Sequence, residues 1–358
     1  MPRIVIAAGG TAGHVVPALA VADALRARGA EVEFVGGDRA EAELVPAAGY
    51  PFHRLRVEGI DRRDPLRAVW AVCVSIYGTG TAHTLLRRVR ADAVLGGGGY
   101  VAGPAGLAAR ALGLPLVLTE ADSHLGATNR LLAPLAQRIF LAFPIEGRSG
   151  RKWVVSGRPV PAGTGRADRA AARARFGIEA DERCVLVFGG SLGARRLNDA
   201  ALDAFGTAAP GAVLHASGRR DHEDLRLRLD SLGSPPHYHL HPYIEPFADA
   251  LAAADLVVAR AGGGVQELLV AGLPAVLVPY PHATADHQVK NARWAEDAGA
   301  AVVVGDGELD GPRLAREVAA LLGAPQRMAA MARAATAAAK PDAAERIADE
   351  LMALARRD

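Results

Sequence analysis

The stretch Val5-Ile-Ala-Ala-Gly-Gly-Thr-Ala-Gly13 decides the fold: a short apolar run breaks into a glycine turn and passes straight into a long segment of helical period. The same phrase returns as Val185-Leu-Val-Phe-Gly-Gly-Ser-Leu-Gly193. Working outward from the first copy, apolar runs at 4–8, 31–35, 93–95 and 116–119 alternate with Ala/Leu/Arg segments. From the second copy, runs at 184–188, 213–215, 256–258, 275–278 and 301–304 do the same. Continuous rather than alternating apolar runs are the mark of strands buried on both faces, hence of βαβ units and parallel sheets. The spacing predicts an α/β protein of two Rossmann-like domains facing a cleft. The boundary is expected in the Gly/Pro/Arg-rich stretch 157–165, and Pro17 is expected to start the first helix.

Length and composition agree with two globular domains. The chain has 358 residues, half of them apolar, and a single hydrophobic core seldom grows that far. A formal charge of +2, with no long run of one sign, gives no basis for nucleic-acid binding. The two cysteines, Cys73 and Cys184, lie far apart without metal-ligand spacing, so no disulfide and no structural zinc are expected. The first apolar run is too short for a signal peptide. The most apolar helix-like stretch, 68–77, falls well below the roughly 18 residues of a membrane span, so any membrane contact should be peripheral.

Three glycine turns carry the chemistry. Gly9-Gly-Thr-Ala-Gly-His14, Gly96 to Gly99 before Tyr100 and Gly103, and Gly189-Gly-Ser-Leu-Gly193 each follow a strand, where bare backbone amides can meet an anion at a helix N-terminus. Each turn taken alone is equally compatible with a simple tight connection. Dinucleotide binding fits poorly: Ala8 stands where the fingerprint needs its first glycine, and no ribose-binding acid ends the second strand. His14 is an unusual residue for a glycine turn. It is a candidate general base, with local capping as the plainer reading. Glu267, after Arg260-Ala-Gly-Gly-Gly264, is open to a ribose diol or to solvent.

These turns, together with Glu41-Ala-Glu-Leu-Val-Pro46, Thr128-Asn-Arg-Leu-Leu132, Ala142-Phe-Pro144, Asp286-His-Gln288 with Asn291, and Pro341-Asp-Ala-Ala-Glu-Arg346, make the whole chain resemble the MurG family of glycosyltransferases. The resemblance implies the GT-B fold. An N-terminal acceptor domain would span 1–160, a UDP-sugar domain 161–340, and a last helix, 341–358, would cross back to the first. It also implies inverting transfer of N-acetylglucosamine from UDP-N-acetylglucosamine to the 4-hydroxyl of a lipid-linked muramyl pentapeptide, for peptidoglycan synthesis. No cofactor and no metal would be required.

In that reading His14 is the base. Thr11, Gly13, Arg158, Ser191, Gly193, Ile244, Gly263, Glu267, Gln288 and Asn291 serve the donor, with Ile244 at the uracil, Glu267 at the ribose, and Gln288 and Asn291 at the sugar. Gly10, Tyr100, Gly103, Glu120, Asp122 and Asn129 serve the acceptor. The chain departs from the family at Thr119-Glu-Ala-Asp122, where the family has His-Glu-Gln-Asn, and at Gly157-Arg-Pro-Val-Pro161, where the positive charge moves to Arg158. Leu192 replaces a glutamine, and the loop 260–267 is one residue short. Another lipid acceptor, or UDP-sugar epimerisation, is the alternative on the same fold. A non-catalytic sugar-lipid binding subunit is a further one.

The stretch 54–90 holds eight arginines against Glu58, Asp61 and Asp64, with Trp70, Val74 and Tyr77 among them. A basic, aromatic face suits anionic headgroups as well as it suits an ordinary core helix. With the resemblance it places the protein peripherally on the cytoplasmic face of the cell membrane. Other cell-wall synthesis proteins are the partners it implies.

Overall fold

The computed structural model describes residues 1–55, 57, 65–190 and 193–356, with the side chains of 65–76 left out. Ser191, Leu192, residues 56 and 58–64 of the basic stretch, and the side chains of Trp70, Cys73 and Val74 therefore lie outside what is described.

The first compact unit comprises Met1–Pro161 and Lys340–Asp358, and the second Ala162–Ala339. In chain order the first runs β1 (Arg3–Ala7), α1 (Ala12–Ala27), β2 (Glu31–Gly36), α2 (Ala40–Ala47), β3 (Phe52–Arg54), α3 (Pro65–Arg88), β4 (Ala93–Gly96), α4 (Ala102–Ala111), β5 (Leu116–Glu120), α5 (Ala127–Leu132), β6 (Arg138–Leu141) and β7 (Trp153–Val155). The second runs α6 (Arg169–Phe176), β8 (Cys184–Phe188), α7 (Arg195–Phe205), β9 (Ala212–Ala216), α8 (His222–Ser231), β10 (Tyr238–His241), α9 (Phe247–Ala253), β11 (Leu256–Ala259), α10 (Gly264–Val270), β12 (Ala275–Leu277), α11 (His287–Asp297), β13 (Ala301–Val303), α12 (Gly311–Leu322) and α13 (Pro325–Ala338). The last helix, α14 (Ala343–Ala355), belongs to the first unit.

Both sheets are parallel throughout. Among the described residues the first has the order β3-β2-β1-β4-β5-β6-β7 and the second β10-β9-β8-β11-β12-β13. In each, the chain starts in the middle, builds to one side, and returns to build to the other. A doubly wound sheet binds its ligands beside that reversal, at the carboxyl ends of the two central strands. Those strands are β1 and β4 in one unit, β8 and β11 in the other.

Strand alternation divides each core into two layers. Ile4 and Ile6 of β1 pack with Val21 and Leu25 of α1 and with Ile347 and Leu351 of α14, while Val5 and Ala7 face Leu86 of α3 and Ala105 of α4. In the second unit Leu186 shares a cluster with Phe176, Leu251 and Leu268, and Val187 one with Leu197, Leu225 and Leu314. Helix ends follow local chemistry. The Asp168 carboxylate accepts from Ala171 N at 2.7 Å to start α6, which Gly177 ends with φ 68°, and Asp310 caps α12 through Arg313 N at 2.7 Å.

Two expectations need correction. Helix α1 begins at Ala12, and Pro17 lies inside it, because α1 starts directly from the glycine turn. Strands β3, β6, β7 and β10 were absent from the sequence reading. They are short, and β3, β7 and β10 sit at or next to sheet edges, where Phe-His-Arg and Tyr-His-Leu-His lack a continuous apolar run.

Candidate active site

At the reversal of the first sheet, the loop after β1 and the loop after β4 press together. A Cβ on Gly99, whose φ is 78°, would stand 2.1 Å from the carbonyl oxygen of Gly9, and one on Gly98, at φ 96°, 2.5 Å from Cδ2 of His14. Only glycine admits that approach. It lays the His14 ring, in the first turn of α1, against the second loop, with Nδ1 3.3 Å from Thr11 Oγ1. Burial lowers the His14 pKa most, and the Arg158 guanidinium lowers it further; Asp122 and Glu41 push the other way. The imidazole is thus neutral at neutral pH and able to take a proton.

Pro17 accounts for the place of Arg158. Proline has no N–H to give the carbonyl four residues back, so the Gly13 oxygen receives no helical bond. Arg158 Nη2 donates to it instead, at 2.6 Å. Arg158 is only 7% exposed and braces the start of α1 through this bond. Thr11 and Gly13 are exposed at the same tip.

The acceptor-side residues of the sequence reading also gather here, mostly as supports. Glu120, at the end of β5, is buried and accepts from Gly126 N at 2.9 Å, Asn129 Nδ2 at 2.9 Å and Asp122 N at 3.3 Å. Burial raises its pKa, against the bonds from Gly126 and Asn129. Asn129 is buried too, and its amide also donates to Thr119 O at 2.9 Å. Gly103 is buried within α4, where a Cβ would meet Thr128 of α5 at 3.6 Å. Asn129 and Gly103 are thus both buried among these elements. Tyr100 lies over Gly10, with the Arg39 guanidinium 5.4 Å from its ring centre. Gly13, Gly97, Glu120 and Arg158 help line a small cavity of about 10 Å³, the room of one water.

The sequence reading gave Glu41 no role. Its carboxylate, 0% exposed at the start of α2, accepts from Gly10 N at 2.8 Å and from Gly37 N at 2.9 Å. The Gly10 amide is therefore engaged within the protein. A motif match marked Glu41; only burial reveals its work.

In the second unit the loop after β8 bends through Gly190 and Gly193, and a Cβ on Gly193 would come within 2.3 Å of Ser217 O. That carbonyl accepts from Asn198 Nδ2 at 2.9 Å. Asn198 in turn bonds Asp221 at 3.1 Å and His215 Nε2 at 3.1 Å, and His215 Nδ1 meets Tyr238 Oη at 2.8 Å. Beside it the loop after β11 leads into α10 through its N-cap, Gly263, with Glu267 half-buried in the first turn near Tyr243.

Gln288 Nε2 lies 3.8 Å from where a Gly262 Cβ would be, and its Oε1 accepts from Tyr280 N at 2.9 Å. Asn291 is 0% exposed and its side-chain amide donates to Ala261 O at 3.1 Å, bracing this loop. Ile244, 3% exposed, is part of the apolar core, which leaves its main chain rather than its side chain for a uracil. Arg260, also overlooked, ties β11 to the end of β12 through Val278 O at 3.2 Å and pairs with Asp306 at 2.5 Å.

Comparison with known proteins fits this layout. Residues 4–141 match the glycosyltransferase family 28 N-terminal domain and 184–347 its C-terminal domain. The chain is 43% identical to the UDP-N-acetylglucosamine--N-acetylmuramyl-(pentapeptide) pyrophosphoryl-undecaprenol N-acetylglucosamine transferase of Salinibacter ruber over 99% of this chain and 98% of that one. It is 42% identical to the same-named transferase of Moorella thermoacetica over 96% and 97%. The crystal structure of Acinetobacter baumannii MurG superposes with TM-score 0.78 at 31% identity, covering 99% of this chain and all of that one. A UDP-GlcNAc 2-epimerase from Neisseria meningitidis, at 13% identity, TM-score 0.66 and coverage of 98% and 100%, shares the fold alone. With two doubly wound sheets, the glycine turns at their reversals and relatives this similar along the entire length, the chain belongs to the MurG family of glycosyltransferases.

Proposed function

We propose that the protein transfers N-acetylglucosamine from UDP-N-acetylglucosamine to the 4-hydroxyl of a lipid-linked muramyl pentapeptide. The observation that carries this reading is the half-buried, neutral His14 at a glycine-turn tip in a chain of this family. His14 takes the hydroxyl proton as the oxygen attacks the anomeric carbon. The bond from that carbon to the diphosphate breaks, UDP leaves with the electron pair, and the configuration inverts. Preorganised amides at the turn ending in Gly193, and the N-terminus of α10 at Gly263, stabilise the leaving diphosphate. Ser191 belongs to the same assignment. Glu267 takes the ribose diol, Gln288 the transferred sugar, the Ile244 main chain the uracil, and Thr11 and Gly13 remain assigned to the donor. Tyr100 and Asp122 serve the acceptor.

Peripheral membrane contact belongs to the proposal. Among the described residues no helix is long and apolar enough to cross a membrane. Tyr77 at 66%, Leu131 at 62% and Leu107 at 37% exposure lie on α3, α5 and α4, which pack in succession. They suit a cytoplasmic lipid surface that carries the acceptor.

The test is turnover with UDP-N-acetylglucosamine and the lipid-linked acceptor. The expected product is the disaccharide lipid with release of UDP; no product, or a changed donor sugar when acceptor is withheld, overturns the reading.

A further inference from the structure

The buried carboxylate of Glu41 is the strongest feature that the reaction as described does not use. Both of its oxygens are committed to main-chain amides of different loops, Oε2 to Gly10 after β1 and Oε1 to Gly37 after β2. The fit is close: a Cβ on Gly9 would stand 2.7 Å from Oε1, and one on Gly36 2.6 Å from Cγ of the same side chain. Gly10 has φ 100° and Gly37 lies beneath the Tyr100 hydroxyl, so both loops take their shape around this one group. Amides converging after a central strand of a doubly wound sheet are an anion site. Here the protein supplies the anion itself.

We propose that Glu41 is a positioning residue for the transfer: an internal anion seated on the Gly10 and Gly37 amides, it fixes the loop whose far end carries His14 and withholds those amides from any bound phosphate. The inference rests on the transferase reading. Two consequences follow. Loss of the clamp frees the loop between Gly9 and Gly13, displacing the imidazole and slowing the chemical step; donor binding, assigned mostly to loops of the second unit, weakens less, through Thr11 and Gly13 alone. Loss of the charge acts on the ring from a distance. His14 is faced by Arg158 from the segment after β7, by Asp122 from the loop after β5, and by Glu41 from α2, and of these the two acids favour its protonated form.

The experiment compares the wild type with Glu41→Gln and Glu41→Asp. The glutamine keeps the length but offers one acceptor oxygen and no charge; the aspartate keeps the charge but is too short to span both amides. In Glu41→Gln, kcat is expected to fall about 10- to 100-fold, the loss that a misplacement near 1 Å brings. The KM for UDP-N-acetylglucosamine should rise far less than kcat falls, since of the assigned donor contacts only Thr11 and Gly13 lie in the freed loop. The acid limb of its kcat/KM profile should move to lower pH. In Glu41→Asp, kcat falls similarly and the limb stays in place. Hydrogen exchange by mass spectrometry gives a readout free of turnover, with peptides covering 8–13 and 36–40 exchanging faster in both variants.

Wild-type kcat in Glu41→Gln, unchanged exchange in those peptides, or an acid limb moving upward, as it would if the ring merely became exposed to water, overturns the inference. A wild-type protein that fails to transfer the sugar overturns the transferase reading instead.

Discussion

At the imidazole of His14, desolvation and one guanidinium oppose two carboxylates, and the first pair wins. Its pKa lies below the ordinary value, so as pH falls the base is lost later than a free histidine would lose it. His14→Ala should cut transfer by about a hundred- to ten-thousand-fold, the usual reach of a general base, while UDP still raises the thermal midpoint as it does in the wild type. Persisting lipid turnover would exclude this residue as the base. His14 stands out in the sequence because a ring is an odd choice within a glycine turn, and its part as base is the proposal made above. Glu41 does not stand out, since a glutamate in the first turn of a helix reads as a solvated residue until its burial is seen. The bonds that Asn291 and Asn129 make within the protein were not legible either. Residue type alone does not say whether an amide faces a ligand or a neighbouring carbonyl.

Along α1 the proline that marked its expected start is a working part of the helix interior. Such a residue costs a helix about 3 kcal/mol, and here it leaves the Gly13 carbonyl to Arg158. Pro17→Ala restores a helical donor to that carbonyl. We expect a higher thermal midpoint by calorimetry and, as Arg158 loses its hold, a lower kcat/KM whose acid limb moves to higher pH, since this cation depresses the His14 pKa. An unchanged profile would show that Arg158 does not need the free carbonyl. The central strands were legible as continuous apolar runs, each buried on both faces. β3 and β10 were not, because an edge strand exposes one side and carries His and Arg without penalty. The order of the strands follows from right-handed crossovers and the place where the chain reverses, neither of which any single run encodes.

For the molecule as a whole, His215 is one group that makes stability depend on acid. It is 0% exposed in the second unit, and burial pulls its pKa down to about 3, the His222 charge adding to the effect. The folded form keeps it neutral while the unfolded chain protonates near 6.5. The contribution of His215 to stability is therefore complete above that pH and drains away as pH falls toward 3. Between pH 7 and 5 this one group removes about 2 kcal/mol. Urea titrations at the two pH values should show a gap of that order, narrowed in His215→Gln; an equal gap in the variant would assign the acid sensitivity elsewhere. The last helix has a different bearing on how the protein is made. Ile347, Ala348 and Leu351 complete the hydrophobic layer over β1 and α1, yet they follow the whole of 162–339 in the chain. During synthesis at about 5–20 residues per second, the opening strands must wait on the order of ten to forty seconds with that layer uncovered. The nascent N-terminal half is thus a natural client for a chaperone that shields apolar surface, and only the arrival of the final helix releases it.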